Sequence, residues 1–162
     1  MLKTVPMTQR VELATVRDRL AVDDLVTEYA MTVDDGDWTA YPGLFTADGR
    51  ADYRSVGGIE GDAPQVAGWL ADGWGQFTMR QHLIVNRRVR FGVLEQDTGD
   101  TAAVQADYVS ALRHVGRAPA APDFMCGGRY AFGLLRTADG WRVRELIVRE
   151  KWRREPDGPT AP

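Results

Sequence analysis

The stretch QHLIVN at residues 81–86 carries His82, one of two histidines in a chain of 162 residues. Histidine's ordinary pKa, about 6.5, lets it exchange protons near neutrality, and a neighbouring carboxylate fixes its tautomer and stabilises its charged form. Carboxylates cluster upstream in EYAMTVDDGDW, where Asp34, Asp35 and Asp37 come after Tyr29. An imidazole held by one of them would be a general base. Tyr29 falls on an apolar helix stripe, so it is a core residue whose phenol could also donate to a substrate oxygen. Taken alone, His82 also fits a structural histidine satisfied by a backbone carbonyl. His114, beside Arg113 and before GRAPAAP, reads as a surface or strand-edge residue.

Asp107 lies in VQADYVS and alternates with Val109 on one strand face, while Val104, Ala106 and Tyr108 occupy the other. Lining a pocket, this carboxylate would be costly to bury unless paired, and would act as an acid or orient the base; facing outward it is an ordinary solvated charge. Arg129, Arg144 and Arg149 are alternatives for holding a substrate oxygen or a leaving group. In RVRELIV the apolar phase switches between Val143 and the pair Leu146 and Val148, marking a bulge that could turn Arg144 inward. No HExxH spacing, no glycine-rich loop after a strand and no GxSxG elbow occurs, so the chemistry is expected from side chains, without metal or cofactor. Cys126 is the only cysteine, which excludes an intramolecular disulfide; it reads as a small buried hydrophobe.

Periodicity predicts the elements that must position these residues. Val22, Leu25, Val26, Tyr29, Ala30 and Val33 recur at helical spacing, predicting a helix from near Val11 to DDGDW, where Gly36 permits a left-handed stop and Asp37 can cap the next short helix. That second helix is WTAYPGLF, broken by Pro42. TADGRADYRS reads as a turn and then a strand. GDAPQVAGWLADGWGQF predicts a third helix with Asp62 as N-cap, Pro64 in the first turn and Gln65 completing a capping box, and with Val66, Trp69, Leu70 and Trp74 as its apolar face. Four alternating segments come next: RQHLIVNRRVRFGVL, TAAVQADYVSALRHV, GRYAFGLLRT and GWRVRELIVREKW. The expectation is a single α+β domain over 1–155 with a frayed tail at 156–162: a cone-shaped, curved, mainly antiparallel sheet covered by three N-terminal helices and enclosing a largely apolar pocket.

With 44% hydrophobic and 27% charged residues and no apolar run long enough to cross a bilayer, the chain reads as cytoplasmic, and its start lacks the apolar core of a secretory signal. A net charge of −3 argues against nucleic acid as partner, despite the local arginines of NRRVRF and GWRVRELIVREKWRRE.

On the motifs YAMTVDDGDW, LFTADGRADY, HLIVNRRV and GRYAFGLLRTADGWRVREL, in that order over most of residues 15–150, the sequence resembles the nuclear transport factor 2-like superfamily. Within it, the resemblance is to the SnoaL-like branch, which includes scytalone dehydratase, a bile acid dehydratase and a hexachlorocyclohexane dehydrochlorinase. The resemblance implies an Asp34–His82 dyad, with His82 and Asn86 filling an H-x-x-x-N pattern, and a substrate-polarising role for Tyr53. The second catalytic histidine of scytalone dehydratase is replaced by the Asp107 and Tyr108 region, which favours a relative with a carboxylate there. Gln105 stands where limonene epoxide hydrolase carries its arginine, so epoxide hydrolysis is not expected.

The implied activity is a cofactor-independent dehydratase acting on an apolar, oxygenated ring such as a polyketide or steroid-like compound. His82, Asp34, Tyr29, Tyr53 and Asp107 would be catalytic; Asn86, Trp69, Tyr108, Arg129 and Arg144 would contact substrate. The rivals are a polyketide cyclase or double-bond isomerase using the same base, and a non-catalytic carrier or structural subunit. The arginine-rich late strands resemble faces that relatives use for assembly, implying a homo-oligomer, a trimer ahead of a dimer.

Overall fold

The computed structural model describes residues 7–94, 97–117 and 121–156. The expected tail at 156–162 therefore lies, apart from Pro156, outside the described residues. Two α-helices, α1 (Met7–Asp35) and α2 (Ala63–Trp74), accompany strands β1 (Phe45–Asp52), β2 (Glu60–Asp62), β3 (Phe77–Leu94), β4 (Asp97–His114), β5 (Phe124–Thr137) and β6 (Gly140–Arg154). They form one six-stranded mixed sheet in the order β2-β1-β6-β5-β4-β3. All neighbours pair antiparallel except β1 with β6, which run parallel.

The apolar stripe of α1 is buried as read, with Val22, Val26, Tyr29 and Val33 sharing a core with sheet residues Val104, Phe132 and Leu146. Each such side chain taken out of water contributes about 1.5–3 kcal/mol. Among the described residues the expected set of three helices is corrected to two. WTAYPGLF makes only a 3₁₀ turn over Tyr41–Leu44, because Pro42 lacks an amide hydrogen and Gly43 favours no helix. The expected third helix ends at Trp74, and β3 begins already at Phe77. The turn expected at TADG is instead absorbed into β1 as a register irregularity between Phe45 and Arg50.

Local devices orient the ends of these elements. Gly36, at φ +69°, stops α1, and the Asp37 carboxylate then accepts from the Ala40 amide at 3.0 Å. The Asp62 and Gln65 capping box starts α2 as read, with bonds of 2.9 and 3.1 Å. Arg80 on β3 ties both helix ends to the sheet: it donates to the carbonyl oxygens of Asp34 at 3.1 Å and of Trp74 and Phe77 at 3.2 Å each. A Cβ at Gly36 would come within 2.8 Å of that guanidinium, so glycine here serves both the left-handed turn and the close approach.

Candidate active site

Between α2 and the inner face of β3–β6 lies a cavity of about 260 Å³. Its walls are largely aromatic: Trp69 and Trp74 from α2, Phe77 from β3, Phe124 and Tyr130 from β5. His82 enters this cavity from β3, its side chain only 3% exposed.

Asp34 holds His82 at two points. One carboxylate oxygen accepts from the His82 backbone amide at 2.8 Å, and the other lies 2.6 Å from Nδ1. A carboxylate only accepts, so in the neutral ring Nδ1 carries the proton and Nε2 presents its lone pair. That lone pair faces Ser110 Oγ at 2.9 Å, and the indole of Trp74 stacks on the imidazole with centroids 5.3 Å apart. The dyad thus has the tautomer and orientation that a general base at Nε2 requires. Ser110 lies directly opposite His82 across the β3–β4 ladder, a register relation that single-strand parity does not reveal.

All five tyrosines of the chain are buried. Tyr53 lines the cavity, but its hydroxyl bonds to Tyr29 and, at 3.2 Å, to Tyr41. Tyr29 does not line the cavity; it lies behind Tyr53, edge-on to Tyr130 and Phe132. Burial holds the phenols of Tyr29, Tyr41, Tyr53 and Tyr130 well above their ordinary range. Protonated phenols are therefore favoured in the fold, so their contribution is intact below the unfolded value of about 10 and lost as pH rises beyond it. Tyrosine absorbance and circular dichroism, monitored upward from pH 9, should change together in one alkaline unfolding transition.

Tyr108 differs from the other four. The residue lines the cavity, and its buried hydroxyl has no hydrogen-bond partner among the described residues, while its ring stacks on Tyr130 at 4.3 Å. An unsatisfied buried hydroxyl costs about 1–3 kcal/mol, a cost that a bound ligand oxygen would remove. Tyr108→Phe should accordingly raise stability in urea by about 1 kcal/mol while weakening oxygenated ligands about tenfold, as measured by denaturation and calorimetry.

The structure brings His82, Asp34, Tyr53, Tyr108 and Trp69 to the cavity or directly behind it, sets Tyr29 behind Tyr53, and separates Asp107, Asn86, Arg129 and Arg144 from it. Asp107 is on the opposite face of β4, where Asn86 at 3.2 Å and Arg129 at 2.9 Å hold it and, through those bonds, keep its carboxyl below the usual range. The reason is alternation: the inward face is Val104, Ala106, Tyr108, Ser110 and Leu112, so Asp107, Asn86 and Arg129 form an outer cluster. The bulge read in RVRELIV exists, since Gly133 pairs with Glu145 and Leu134 with Val143, leaving Arg144 as the extra residue. It turns Arg144 outward, with its side chain 61% exposed and 3.7 Å from Asp48.

His114 ends β4 with its side chain 29% exposed, as the reading of a strand-end residue expects, but it also lines the cavity, which that reading missed. Asp123 grips it as Asp34 grips His82, accepting from its backbone amide at 2.9 Å and lying 3.0 Å from Nδ1. Glu150 and Arg153, paired at 2.8 Å, also reach the cavity. Cys126 is buried as read, yet lines the cavity, and burial pushes its thiol up to about 11. Among the described residues no group of three or more His, Cys, Asp or Glu side chains is arranged to hold a metal ion, and no helix is long and apolar enough to cross a membrane.

A family model described as a SnoaL-like domain matches residues 14–147. An uncharacterized protein of Mycobacterium tuberculosis H37Rv is 30% identical over 131 residues, covering 81% of this chain and 84% of its own length. Among solved structures, the Kfla4162 protein of Kribbella flavida aligns with a TM-score of 0.72 at 22% identity, over 86% of this chain and 94% of that one. The hexachlorocyclohexane dehydrochlorinase LinA-type3 of Novosphingobium barchaimii LL02 gives 0.73 at 17% identity, over 93% and 99%. A candidate scytalone dehydratase of Novosphingobium aromaticivorans gives 0.70 at 16% identity, over 94% and 99%. These structural likenesses carry the fold, and the family model, spanning most of the chain, carries the kinship. The chain belongs to the SnoaL-like domain family, within the nuclear transport factor 2-like superfamily.

Proposed function

We propose that the protein is a cofactor-independent lyase that removes water from an apolar, oxygenated ring compound, with His82 as the base. The observation that carries this reading is the two-point grip of Asp34 on His82, which leaves Nε2 basic inside an aromatic-walled cavity. The dehydrochlorinase and dehydratase named among similar folds support elimination as the reaction class.

In this reading the Ser110 hydroxyl turns aside and Nε2 takes a proton from the carbon next to a substrate carbonyl. The developing oxyanion accepts from Tyr108, whose hydroxyl is otherwise unsatisfied, rather than from Tyr29 or Tyr53, whose hydroxyls are engaged with one another. The imidazolium formed then returns the proton to the hydroxyl leaving from the same face. Asp107, Arg129 and Arg144 have no part in the step. The aromatic walls, with few charges among them, select flat ring systems over sugars or phosphates.

A panel of cyclic β-hydroxy ketones incubated in deuterated water and monitored by mass spectrometry tests the proposal. Dehydration is expected, and is expected to vanish in His82→Ala. Full turnover by that variant would overturn the role of His82. Deuterium uptake without loss of water would favour the isomerase or cyclase reading.

A further inference from the structure

The lone pair that the lyase reading assigns to substrate already points at a hydroxyl. Ser110 Oγ lies 2.9 Å from His82 Nε2, and His82 Nδ1 lies 2.6 Å from Asp34. A hydroxyl aligned on an imidazole that is itself oriented by a carboxylate is the constellation of an activated nucleophile. We propose that Ser110, His82 and Asp34 form a nucleophilic triad that gives this protein a second activity, the hydrolysis of small acyl esters with apolar or aromatic leaving groups.

Three further observations favour this over a serine that merely satisfies the ring. Ser110 is 1% exposed yet lines the cavity, so an acyl group entering there meets Oγ with bulk water largely excluded. Ladder pairing with His82 on one side and Cys126 on the other fixes the Ser110 backbone between two strands, which holds the nucleophile in place. Two residues away on the same face, Tyr108 brings the unpartnered hydroxyl that a tetrahedral oxyanion would need. Cys126 does not compete as nucleophile, because its thiol stays protonated near neutrality.

The steps balance without any co-reactant but water. Ser110 Oγ attacks the acyl carbon as its proton passes to His82 Nε2, and the carbonyl oxygen becomes an oxyanion accepting from Tyr108. The bond to the alkoxy oxygen then breaks, His82 returns the proton to the departing alcohol, and an acyl-serine remains. Water, losing a proton to His82, attacks that ester; the bond to Ser110 Oγ breaks, His82 returns the proton to that oxygen, and the carboxylic acid leaves with Ser110 regenerated.

The full-length chain would be treated with p-nitrophenyl acetate and, separately, with a fluorophosphonate probe before peptide mass spectrometry. The expected result is covalent labelling of Ser110, and p-nitrophenolate release that falls about a hundredfold or more in Ser110→Ala. An unlabelled Ser110, or wild-type hydrolysis by Ser110→Ala, overturns the triad; the labelling uses unmodified protein, so it decides even if the variant folds poorly. The dyad is shared with the lyase reading, but the two fail separately: dehydration without labelling overturns only the triad, and labelling without dehydration leaves it standing.

Discussion

Asp34→Asn should shift the His82 ring proton from Nδ1 to Nε2 and lower turnover on the order of 10⁴-fold, as removing the orienting carboxylate does in serine proteases. The reason lies in the two-point grip. Asp34 accepts from a backbone amide and a ring nitrogen at once. An asparagine has only one acceptor oxygen, and the backbone amide can never do anything but donate, so that oxygen is claimed by the amide. The side-chain NH₂ then faces Nδ1, which must become the acceptor, and Nε2 carries the ring proton, leaving no lone pair toward the cavity. Long-range nitrogen–proton NMR correlation reads the tautomer directly, without any substrate. An unchanged tautomer would show that Asp34 does not set the orientation of the base. The fold should survive, because shape and volume barely change.

Gly128→Ala should destabilise the fold by about 3 kcal/mol, lowering the melting temperature by about 10 °C. A Cβ there would lie 2.1 Å from the Arg149 carbonyl oxygen and 2.9 Å from two further backbone atoms of β6, none of which can rotate aside. The neighbouring Gly127 is an internal control. The three atoms nearest its added Cβ all belong to the indole of Trp152, a side chain 44% exposed that can give way where backbone cannot, so Gly127→Ala should cost about 1 kcal/mol or less. The pairing register shifts between these glycines, Gly127 facing Trp152 and Gly128 facing Glu150. Differential scanning calorimetry on the two variants checks the contrast, and equal losses would contradict it.

Features with a local signal were legible in the sequence. The α1 stripe, the glycine stop, the capping box and the bulge before Leu146 all rest on residues within a few positions of one another. Trp69 followed from the helical periodicity of α2, whereas Tyr53 and the His82–Asp34 pair came from the resemblance to the SnoaL-like family. Legibility failed where contacts span the sheet. Parity correctly divided Asp107 from Tyr108 but could not choose the inner face, and burial of the tyrosine face places Asp107 with Asn86 and Arg129 outside. Ser110 was invisible because its partner depends on the β3–β4 register, and His114 because the aspartate holding it comes nine residues later, across a turn. The bulge was legible, but the direction in which it sends Arg144 was not.

Arg80 joins the end of α1, the end of α2 and the start of β3 through one guanidinium whose acceptors among the described residues are backbone oxygens. Backbone oxygens persist through every substitution, so this keystone is indifferent to what side chains evolve around it. The carboxylate of Asp34 and the indole of Trp74 reach His82 from two elements far apart in sequence, yet both hang from the same anchor. The cavity can therefore exchange its remaining walls for new ligands while the imidazole keeps its aim, a division between fixed hinge-pin and replaceable lining that suits a scaffold to divergent chemistry.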